Sequence, residues 1–583
     1  MDKISKKIEM INTLKEIIKK NNLDGYILPK NDKYFTEYSK TNYLKIVSNF
    51  SGSAGFAVIL KNKNYLFVDG RYTIQAKKEA GNKFKIFEIP YKWPKDIFRK
   101  LNIGFSPKLF THSVLYKYFE KSCNLIPINT NLFDKKFKLI KNIPFYLIKN
   151  KVSGESSLLK INRTIKVLKK KKINYLYISS GENICWLLNI RGNDLPNSPV
   201  ANCKLILTKN KKIYFFSPLI KTLNIKSKLN YLKISFHKED DFFQVLTSLN
   251  LGKFSIDHQT CSVFDEELIK SKFKINNKID PIYYFKSIKN KTEIDNMKKA
   301  HIDDGVALTK FLYWIKNTNI EKITEEKVEF KLEKFRKLNK NYLFPSFDTI
   351  AGSGPNGAII HYRSDKYSNR KLKYKDLLLL DSGGQYKWGT TDVTRTICFS
   401  KPSNKIKNVF TRVLKGHIAV ALSNIKKEKT GHNIDKRARK SLNSVGLDYR
   451  HGTGHGVGYF LNVHEGPQGI SRNNYVKLKE GMVLSNEPGF YLEKKFGIRI
   501  ENLVFIKKTS NKIFFDNLTM VPIDKDLINF QILNKKEKDY LFSYHLKVYS
   551  KIQVWHALIK QEEQRQIEGL ELIASEVRFS ILS

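Results

Sequence analysis

Asp381 closes the apolar run Leu377–Leu380, and Asp392 follows beyond a Gly383-Gly384 turn. A hairpin of that length brings two carboxylates face to face. Glu487 in "SNEPGF" and Glu501 in "IRIEN" repeat the situation on two later strand-like segments. A carboxylate at the end of a buried strand is costly unless something neutralises it, and several together repel one another. A pair of divalent cations meets that need directly. One nitrogen donor stands out beside them, His455 in "HGTGHGVG", whose flanking glycines let the backbone approach closely. Carboxylates with a single imidazole form a hard, oxygen-rich donor set that suits Mn²⁺, with Co²⁺ and Zn²⁺ as alternatives. Two such ions about 3.5–4 Å apart would hold a bridging hydroxide and polarise a carbonyl, the chemistry of metal-assisted amide hydrolysis. Taken singly, an Asp after an apolar strand is more often a turn residue, and a His beside glycines is more often structural. The set as a whole argues for chemistry.

The elements that carry these residues begin near Pro281. "KTEIDNMKKAHIDDGVALTKFLYWI" reads as a long helix with apolar positions at Ile294, Met297, Ala300, Val306 and Leu308. "EEKVEFKLEKFRKL" reads as a second helix. Strand pairs with glycine turns follow in "DLLLLDSGGQYKWGTTDVTRTICFS", then a helical section from "KIKNVFTRVLKGHIAVAL". The strands "GMVLSNEPGFYL" and "FGIRIENLVFI" complete the region. Helices and strands without regular βαβ alternation predict an α+β domain with a mostly antiparallel sheet.

Upstream, two blocks repeat one order of elements: helix, strand, helix-like segment, hairpin. The first has an amphipathic N-terminal helix, the strand "DGYILP", the small-residue loop "SGSAGF" and the hairpin "AVILKNKNYLFVDGRY". The second has "ESSLLKINRTIKVLKKKKIN", "YLYISS", "NICWLLNIRG" and "CKLILTKNKKIYFFS". They read as structurally related α/β units, although no repeat is visible residue by residue. The predicted domains are 1–155, 156–285 and 286–552, with a separate tail over 553–583.

A chain of 583 residues exceeds what one core supports. Its 41% apolar content marks it as globular despite a net charge of +50. The lysines are spread along the whole sequence rather than gathered on one arm, and no nucleic-acid-binding motif accompanies them. Asn, Ile, Phe and Tyr, whose codons are also AT-rich, are abundant too. A lysine-rich solvated surface therefore accounts for the charge better than a nucleic-acid groove. The cysteines Cys123, Cys185, Cys203, Cys261 and Cys398 are widely spaced with no CxxC pair, which fits a reducing cytoplasm. The N-terminus lacks the unbroken apolar core of a signal peptide. No stretch reaches the 18 or so apolar residues of a membrane span.

Several motifs together carry a family resemblance. They are "FDTIAGSGPNGAIIHYR", "LLLLDSGGQYKWGTTDVTRT", "HGTGHGVGYFLNVHEGPQ" and "LSNEPGFYLEKKFGIRIEN", with "SGSAGF" and "DGRYTIQA" in the first block and "WLLNIRGNDLPNSPVA" in the second. The chain resembles the aminopeptidase P branch of the pita-bread metallopeptidases, in its three-domain cytosolic form. The resemblance implies a pita-bread catalytic domain preceded by two α/β domains of related architecture. It implies two divalent metal ions held by Asp381, Asp392, His455, Glu487 and Glu501. The implied reaction is release of the N-terminal residue from Xaa-Pro-Xaa peptides. His361 in "IIHYR" would steady the scissile region and shuttle protons, His464 in "NVHEGP" would hydrogen-bond the substrate, and His451 would be a third pocket histidine. Glu487 would double as ligand and as general base and acid. Arg499 and Tyr491 would support the ligands or line the pocket. A homodimer is also implied, with the N-terminal blocks shaping access to the site. Lys45 stands where the family commonly has Arg, in keeping with the lysine bias of the whole chain.

After about Ile552 the family pattern ends. The stretch "VWHALIKQEEQRQIEGLELIASEVRFS" instead resembles the N-terminus of serine hydroxymethyltransferase. Without that enzyme's pyridoxal-phosphate lysine region it implies no such activity, and a frameshift or joined reading frame is the preferred explanation. Two alternative functions remain at this stage. One is a prolidase acting on Xaa-Pro dipeptides on the same fold. The other is a non-catalytic pita-bread module that binds nucleic acid or protein.

Overall fold

The computed structural model describes residues 3–37, 39, 42–129, 142–364 and 368–559. It comprises two compact units, Met1–Phe285 and Lys286–Ser583.

The first unit holds two six-stranded sheets. One runs in space as Lys85–Ile89, Asn64–Asp69, Phe56–Leu60, Gly25–Pro29, Asn102–Phe105, Asn124–Pro127. The other runs as Ile234–His237, Ile213–Phe216, Lys204–Thr208, Tyr175–Ile178, Lys253–Ile256, Lys274–Asn277. Numbered along the chain, both read 4-3-2-1-5-6. In each, the 3-2 and 2-1 junctions are antiparallel and the other three are parallel. Parallel neighbours require a crossover, and His112–Phe119 and Val263–Lys270 provide equivalent ones before the last strand of each sheet. The two blocks are therefore related units, as their order of elements predicts. The helix Ser157–Lys170 shows the local logic. Ser156 caps it by accepting from the Leu159 amide, Ile161, Ile165 and Leu168 are buried at helical spacing, and Lys169 and Lys170 face water. Each of those apolar side chains contributes roughly 1.5–3 kcal/mol by leaving water.

In the second unit the helix Lys291–Lys316 starts at a reciprocal cap between Asn290 and Glu293. It buries Ile294, Met297, Ala300, Val306 and Leu308 as its periodicity predicts. The strands form small sheets in which every pairing is antiparallel. Strands β1 (Leu378–Ser382) and β2 (Val393–Ile397) pair with each other, and β1 also pairs with Ile350–Ser353. Helix α1 (Asn404–Ala421) and helix Gly431–Asn443 pack together. Strand β3 (Gly454–Gly456) joins a five-stranded sheet with β4 (Val483–Asn486) and β7 (Asn502–Lys508). Strands β5 (Gly489–Leu492) and β6 (Phe496–Arg499) form a separate pair.

The connection between β1 and β2 is more elaborate than a simple hairpin. Gly384–Tyr386 leaves β1 to pair with Tyr342–Pro345 in a different sheet before the chain returns. Helix α2 (Lys535–Ile559) buries Leu541, Tyr544, His545, Val548 and Ile552 along one stripe. The tail expected over 553–583 falls beyond this stripe: residues 560–583 and the side chains from Val554 onward lie outside the described residues.

Candidate metal centre

Strand alternation explains why acids end up inside. On β1, Leu378 and Leu380 enter the apolar core, so Asp381 points to the opposite face. On β2, Val393 and Ile397 enter the same core, which places Asp392 and Thr394 on the other face. The register sets Asp381 opposite Thr394. Asp381, Asp392 and Glu501 are 8, 4 and 2% exposed, so their charges are not dispersed by water.

The second pair of acids comes from one long hairpin. Asn486 pairs with Asn502 between β4 and β7, and Gly489 pairs with Arg499 between β5 and β6. The Ile500 amide donates to the Pro488 carbonyl at 3.3 Å, which keeps the same register through the gap. The two ladders are thus one ribbon that opens where Glu487 faces Glu501. The Glu487 amide turns away to the Thr453 carbonyl (2.8 Å) and the Glu501 amide to the Thr394 carbonyl (3.1 Å). Those two bonds tie the ribbon to β3 and β2.

His455 enters on β3. A Cβ at Gly454 would lie 2.0 Å from the Ser485 carbonyl oxygen, and one at Gly456 would lie 2.2 Å from that of Glu465. Only glycine permits so close an approach on both sides. The His455 Nδ1 lies 2.9 Å from the Gly456 carbonyl, which fixes Nδ1 as a donor and turns Nε2 toward the acids. That Nε2 sits 3.5 Å from Asp392 Oδ2 and 3.6 Å from Glu487 Oε1. One donor atom each from Asp392, His455 and Glu501 lies within 4.8 Å of the others, spacing that a metal ion could share.

Supporting contacts hold these groups from behind. Thr394 Oγ1 donates to Glu501 Oε2 at 2.7 Å and accepts from Arg499 Nε at 3.1 Å. Ser485 Oγ donates to Glu487 Oε1 at 3.3 Å. Arg499 Nη2 donates to Asp381 Oδ2 at 2.6 Å and its Nη1 to the Tyr491 hydroxyl at 2.6 Å. The Tyr491 oxygen lies 2.9 Å from His451 Nε2, and His451 Nδ1 lies 3.9 Å from Glu487 Oε2. His464 stands edge-on to His455 with ring centroids 4.3 Å apart. His361 is half-buried, and the carbonyl of the preceding Ile360 lies 3.4 Å from Arg499 Nη1.

The electrostatics are those of a cluster short of positive charge. Burial raises the Asp381 carboxyl to about 6; Arg499 opposes this, but Asp392 and Glu487 reinforce it. Burial, with Asp392, Glu487 and Asp381 behind it, lifts Glu501 well above the carboxylate range. Glu487 is raised too, again chiefly by burial. Burial alone would lower the His455 imidazole, but Asp392 and Glu487 outweigh it and hold it at about 9. Divalent cations would reverse all these penalties. The donor set fits them: Asp381 Oδ1 is a buried carboxylate oxygen with no hydrogen-bond partner among the described residues, and His455, anchored through Nδ1, would offer Nε2 to a metal once it is deprotonated.

A further network lies beneath β1 and β2, and sequence reasoning did not find it. Asp304 Oδ1 accepts from Arg336 Nε and the Tyr386 hydroxyl, both at 2.8 Å, and its Oδ2 accepts from Thr391 Oγ1 at 2.8 Å. Arg336 Nη2 also donates to Ser382 Oγ at 3.1 Å. The residues beside Asp381 and Asp392 are thereby fixed to two helices. An Asp inside an amphipathic helix gives no sequence signal for such a role.

A second group, Cys398, Asp524 and Asp526, also has the spacing of a metal site. There the Lys316 ammonium already neutralises the acids, 2.8 Å from Asp524 and 3.2 Å from Asp526.

Comparison with known proteins agrees with this geometry. Residues 10–134 and 138–293 each match the creatinase/prolidase N-terminal domain. Residues 295–508 match metallopeptidase family M24, and 513–565 match the C-terminal region of peptidase M24. That last match extends past Ile552. The chain is 36% identical to a probable Xaa-Pro aminopeptidase P of Laccaria bicolor, over 93% of this chain and 90% of that protein. It is 37% identical to Xaa-Pro aminopeptidase 1 of Dictyostelium discoideum, over 94% and 93%. An X-prolyl aminopeptidase from Caenorhabditis elegans, described as a cytosolic enzyme with a di-nuclear active site, superposes with a TM-score of 0.88 at 28% identity, covering 98% of this chain and 99% of that one. A prolidase from Thermococcus sibiricus reaches 0.52 at 27% identity and covers only 64% of this chain. With relatives above 30% identity along nearly its whole length, a fold carrying both creatinase-type N-terminal domains and a carboxylate-histidine cluster in its M24 region, the chain belongs to the Xaa-Pro aminopeptidase family of M24 metallopeptidases.

Proposed function

We propose that Asp381, Asp392, His455, Glu487 and Glu501 hold two divalent metal ions, Mn²⁺ foremost, and that the chain releases the N-terminal residue from Xaa-Pro-Xaa peptides. The observation that carries this reading is the His455 Nε2 aimed at Asp392 and Glu487, together with a buried Asp381 oxygen that has no hydrogen-bond partner among the described residues. When bound, the ions lower the pKa of water and polarise the scissile carbonyl. The oxygen-rich donor set favours Mn²⁺, while Co²⁺ and Zn²⁺ fit the same ligands.

The remaining chemistry belongs to the chain's own residues. Glu487 takes the proton of the attacking water and returns it to the departing prolyl nitrogen. That nitrogen carries a ring and no N–H, and like any amine leaving group it departs only once it is protonated. His361 and His464 hold the substrate on either side of the reacting carbonyl, and His361 passes protons. His451, Tyr491 and Arg499 keep Glu487 and Asp381 oriented. The acids also receive the peptide's free α-amino group, which makes the enzyme an exopeptidase.

The same reading assigns 1–155 and 156–285 as non-catalytic domains and 286–552 as the catalytic one. It takes the protein to be a cytoplasmic homodimer. The deciding experiment is a steady-state assay on Xaa-Pro-Xaa peptides with metal stripped and then restored. Activity should vanish with chelation and return with Mn²⁺; hydrolysis indifferent to metal would refute the proposal. A prolidase would instead prefer Xaa-Pro dipeptides, and comparing rates on the two substrates separates the readings.

A further inference from the structure

Helix α1 carries His417, a fully buried side chain that no step above uses. Its Nδ1 lies 3.1 Å from the Asn486 carbonyl oxygen, and because a carbonyl only accepts, Nδ1 is the donor. Asn486 answers by donating from Nδ2 to the His417 carbonyl at 2.9 Å. The ring also lies in the field of the Ile500 backbone. Asn486 immediately precedes Glu487, and Ile500 immediately precedes Glu501. The imidazole therefore sits behind the point where the ribbon opens, against the residue before each of the two acids. The helix has little freedom to withdraw. A Cβ at the neighbouring Gly416 would lie 2.4 Å from the Ala438 carbonyl oxygen, so α1 is pressed between helix Gly431–Asn443 and the ribbon.

From this geometry we infer that His417 is a positioning residue for the two ribbon carboxylates: it fixes the backbone from which Glu487 and Glu501 reach the metal centre. A leucine would fill the volume and remove the imidazole's hydrogen bond to the Asn486 carbonyl. The ribbon would then hold its acids less firmly, in the way that loss of a ligand's supporting contact weakens metal binding about 10–100-fold. The inference rests on the proposed metal centre.

The test uses the full-length protein, stripped of metal and titrated with Mn²⁺ by calorimetry, beside steady-state kinetics on an Xaa-Pro-Xaa peptide. His417→Leu should raise the Mn²⁺ Kd about 10–100-fold and lower kcat at limiting metal, with KM unchanged. His417→Asn should restore both, because its Nδ2 occupies the place of Nδ1. His417→Gln, whose amide nitrogen lies at the Nε2 position, should not. A His417→Leu protein with wild-type Mn²⁺ affinity overturns the inference, and so does a His417→Asn protein no better than His417→Leu. Should the leucine variant not fold, equal affinities in the Asn and Gln variants overturn it instead. Wild-type protein that binds no divalent ion sinks the metal centre itself, a result distinct from any of these.

Discussion

Arg499 donates to Asp381 across 2.6 Å with both side chains almost wholly buried. The same guanidinium reaches Tyr491 and Thr394, so one rigid fork spans three partners. Lysine carries the same charge but only a point donor. Arg499→Lys should lower kcat/KM about 10–100-fold and raise the metal concentration needed for half-maximal activity. Tyr491→Phe removes one of the three guanidinium partners and the link to His451 but leaves the bond to Asp381, so it should cost less. Metal-titrated kinetics of both variants check this, and wild-type behaviour in Arg499→Lys contradicts it.

The two residues facing the middle of the cluster carry a stronger expectation. Asp392→Ala and His455→Ala should each reduce hydrolysis below about 0.1% of wild type, as a loss of some 4 kcal/mol of transition-state stabilisation requires. Far-UV circular dichroism should be unchanged, since both side chains point away from the core. Full activity in a metal-defined assay of either variant would remove it from the centre.

How much of this was legible in the sequence depends on the distance between partners. Asp381 announced itself by ending an apolar run, and the helix from Lys291 by its spacing, because both signals are local. The kinship of the N-terminal sheets was visible in the order of elements, while the shared 4-3-2-1-5-6 arrangement emerges only in the folded sheets. Asp304, Arg336 and His417 gave no sign. Asp304 meets Arg336 only because two helices pack, and His417 meets Asn486 across 69 residues of chain. Such partnerships are set by tertiary packing, and periodicity does not encode them.

The protonation of the metal-free cluster sets a pH dependence for metal uptake. His455, held at about 9, carries a proton at neutral pH and must lose it to serve as a ligand. Mn²⁺ binding at pH 7 should therefore release protons, and affinity should rise as pH climbs toward 9. In stability terms the sign is opposite. This group, raised above its unfolded value of about 6.5, stabilises the metal-free fold below that pH, and the contribution is lost as pH rises through about 9. Titration calorimetry in two buffers of different ionisation enthalpy measures the protons, and a net release of zero at pH 7 excludes the scheme.

His545 should contribute to a separate acid transition, beside the buried His417, which burial lowers to about 3. On α2 its Nε2 accepts from the Ile523 amide at 3.1 Å, and its Nδ1 lies 3.0 Å from the Leu541 carbonyl, so the buried ring is neutral. Burial lowers it to about 4. A group lowered in the folded state leaves stability intact above its unfolded value of about 6.5. That stability is then lost as pH falls toward about 4. The loss amounts to roughly 3 kcal/mol at most. Urea unfolding at pH 7, 5.5 and 4 should show a shallower decline for His545→Gln than for wild type, and parallel declines would show that another group is responsible.

Arg395 joins the C-terminal segment to the metal centre, and it does so without a carboxylate among its hydrogen-bond partners. Nη1 donates to the Thr394 and Glu501 carbonyls at 2.8 and 2.7 Å, beside two site residues. Nε donates to Pro522 at 2.8 Å, and Nη2 donates to Val521 at 2.6 Å and to the Tyr544 hydroxyl of α2 at 3.0 Å. Burial with uncharged partners lowers this guanidinium, so its charge is held at a cost that the carbonyl dipoles offset. Arg395→Met would take the guanidinium donors from the Glu501 and Pro522 carbonyls in a dry interior, each worth about 1–3 kcal/mol when left unsatisfied, while Thr394 and Val521 keep the Glu501 amide and the Tyr544 hydroxyl. Stability should therefore fall by several kcal/mol, and metal affinity should fall with it because the Glu501 backbone loses its tether. Tyr544→Phe removes the hydroxyl that accepts from Arg395 and donates to the Val521 carbonyl, and should cost about 1–3 kcal/mol while leaving metal binding intact. Urea midpoints and Mn²⁺ titrations of the two variants distinguish a tether from mere core packing: if Arg395→Met weakens the fold yet binds metal as tightly as wild type, the link from α2 to the centre carries no functional load.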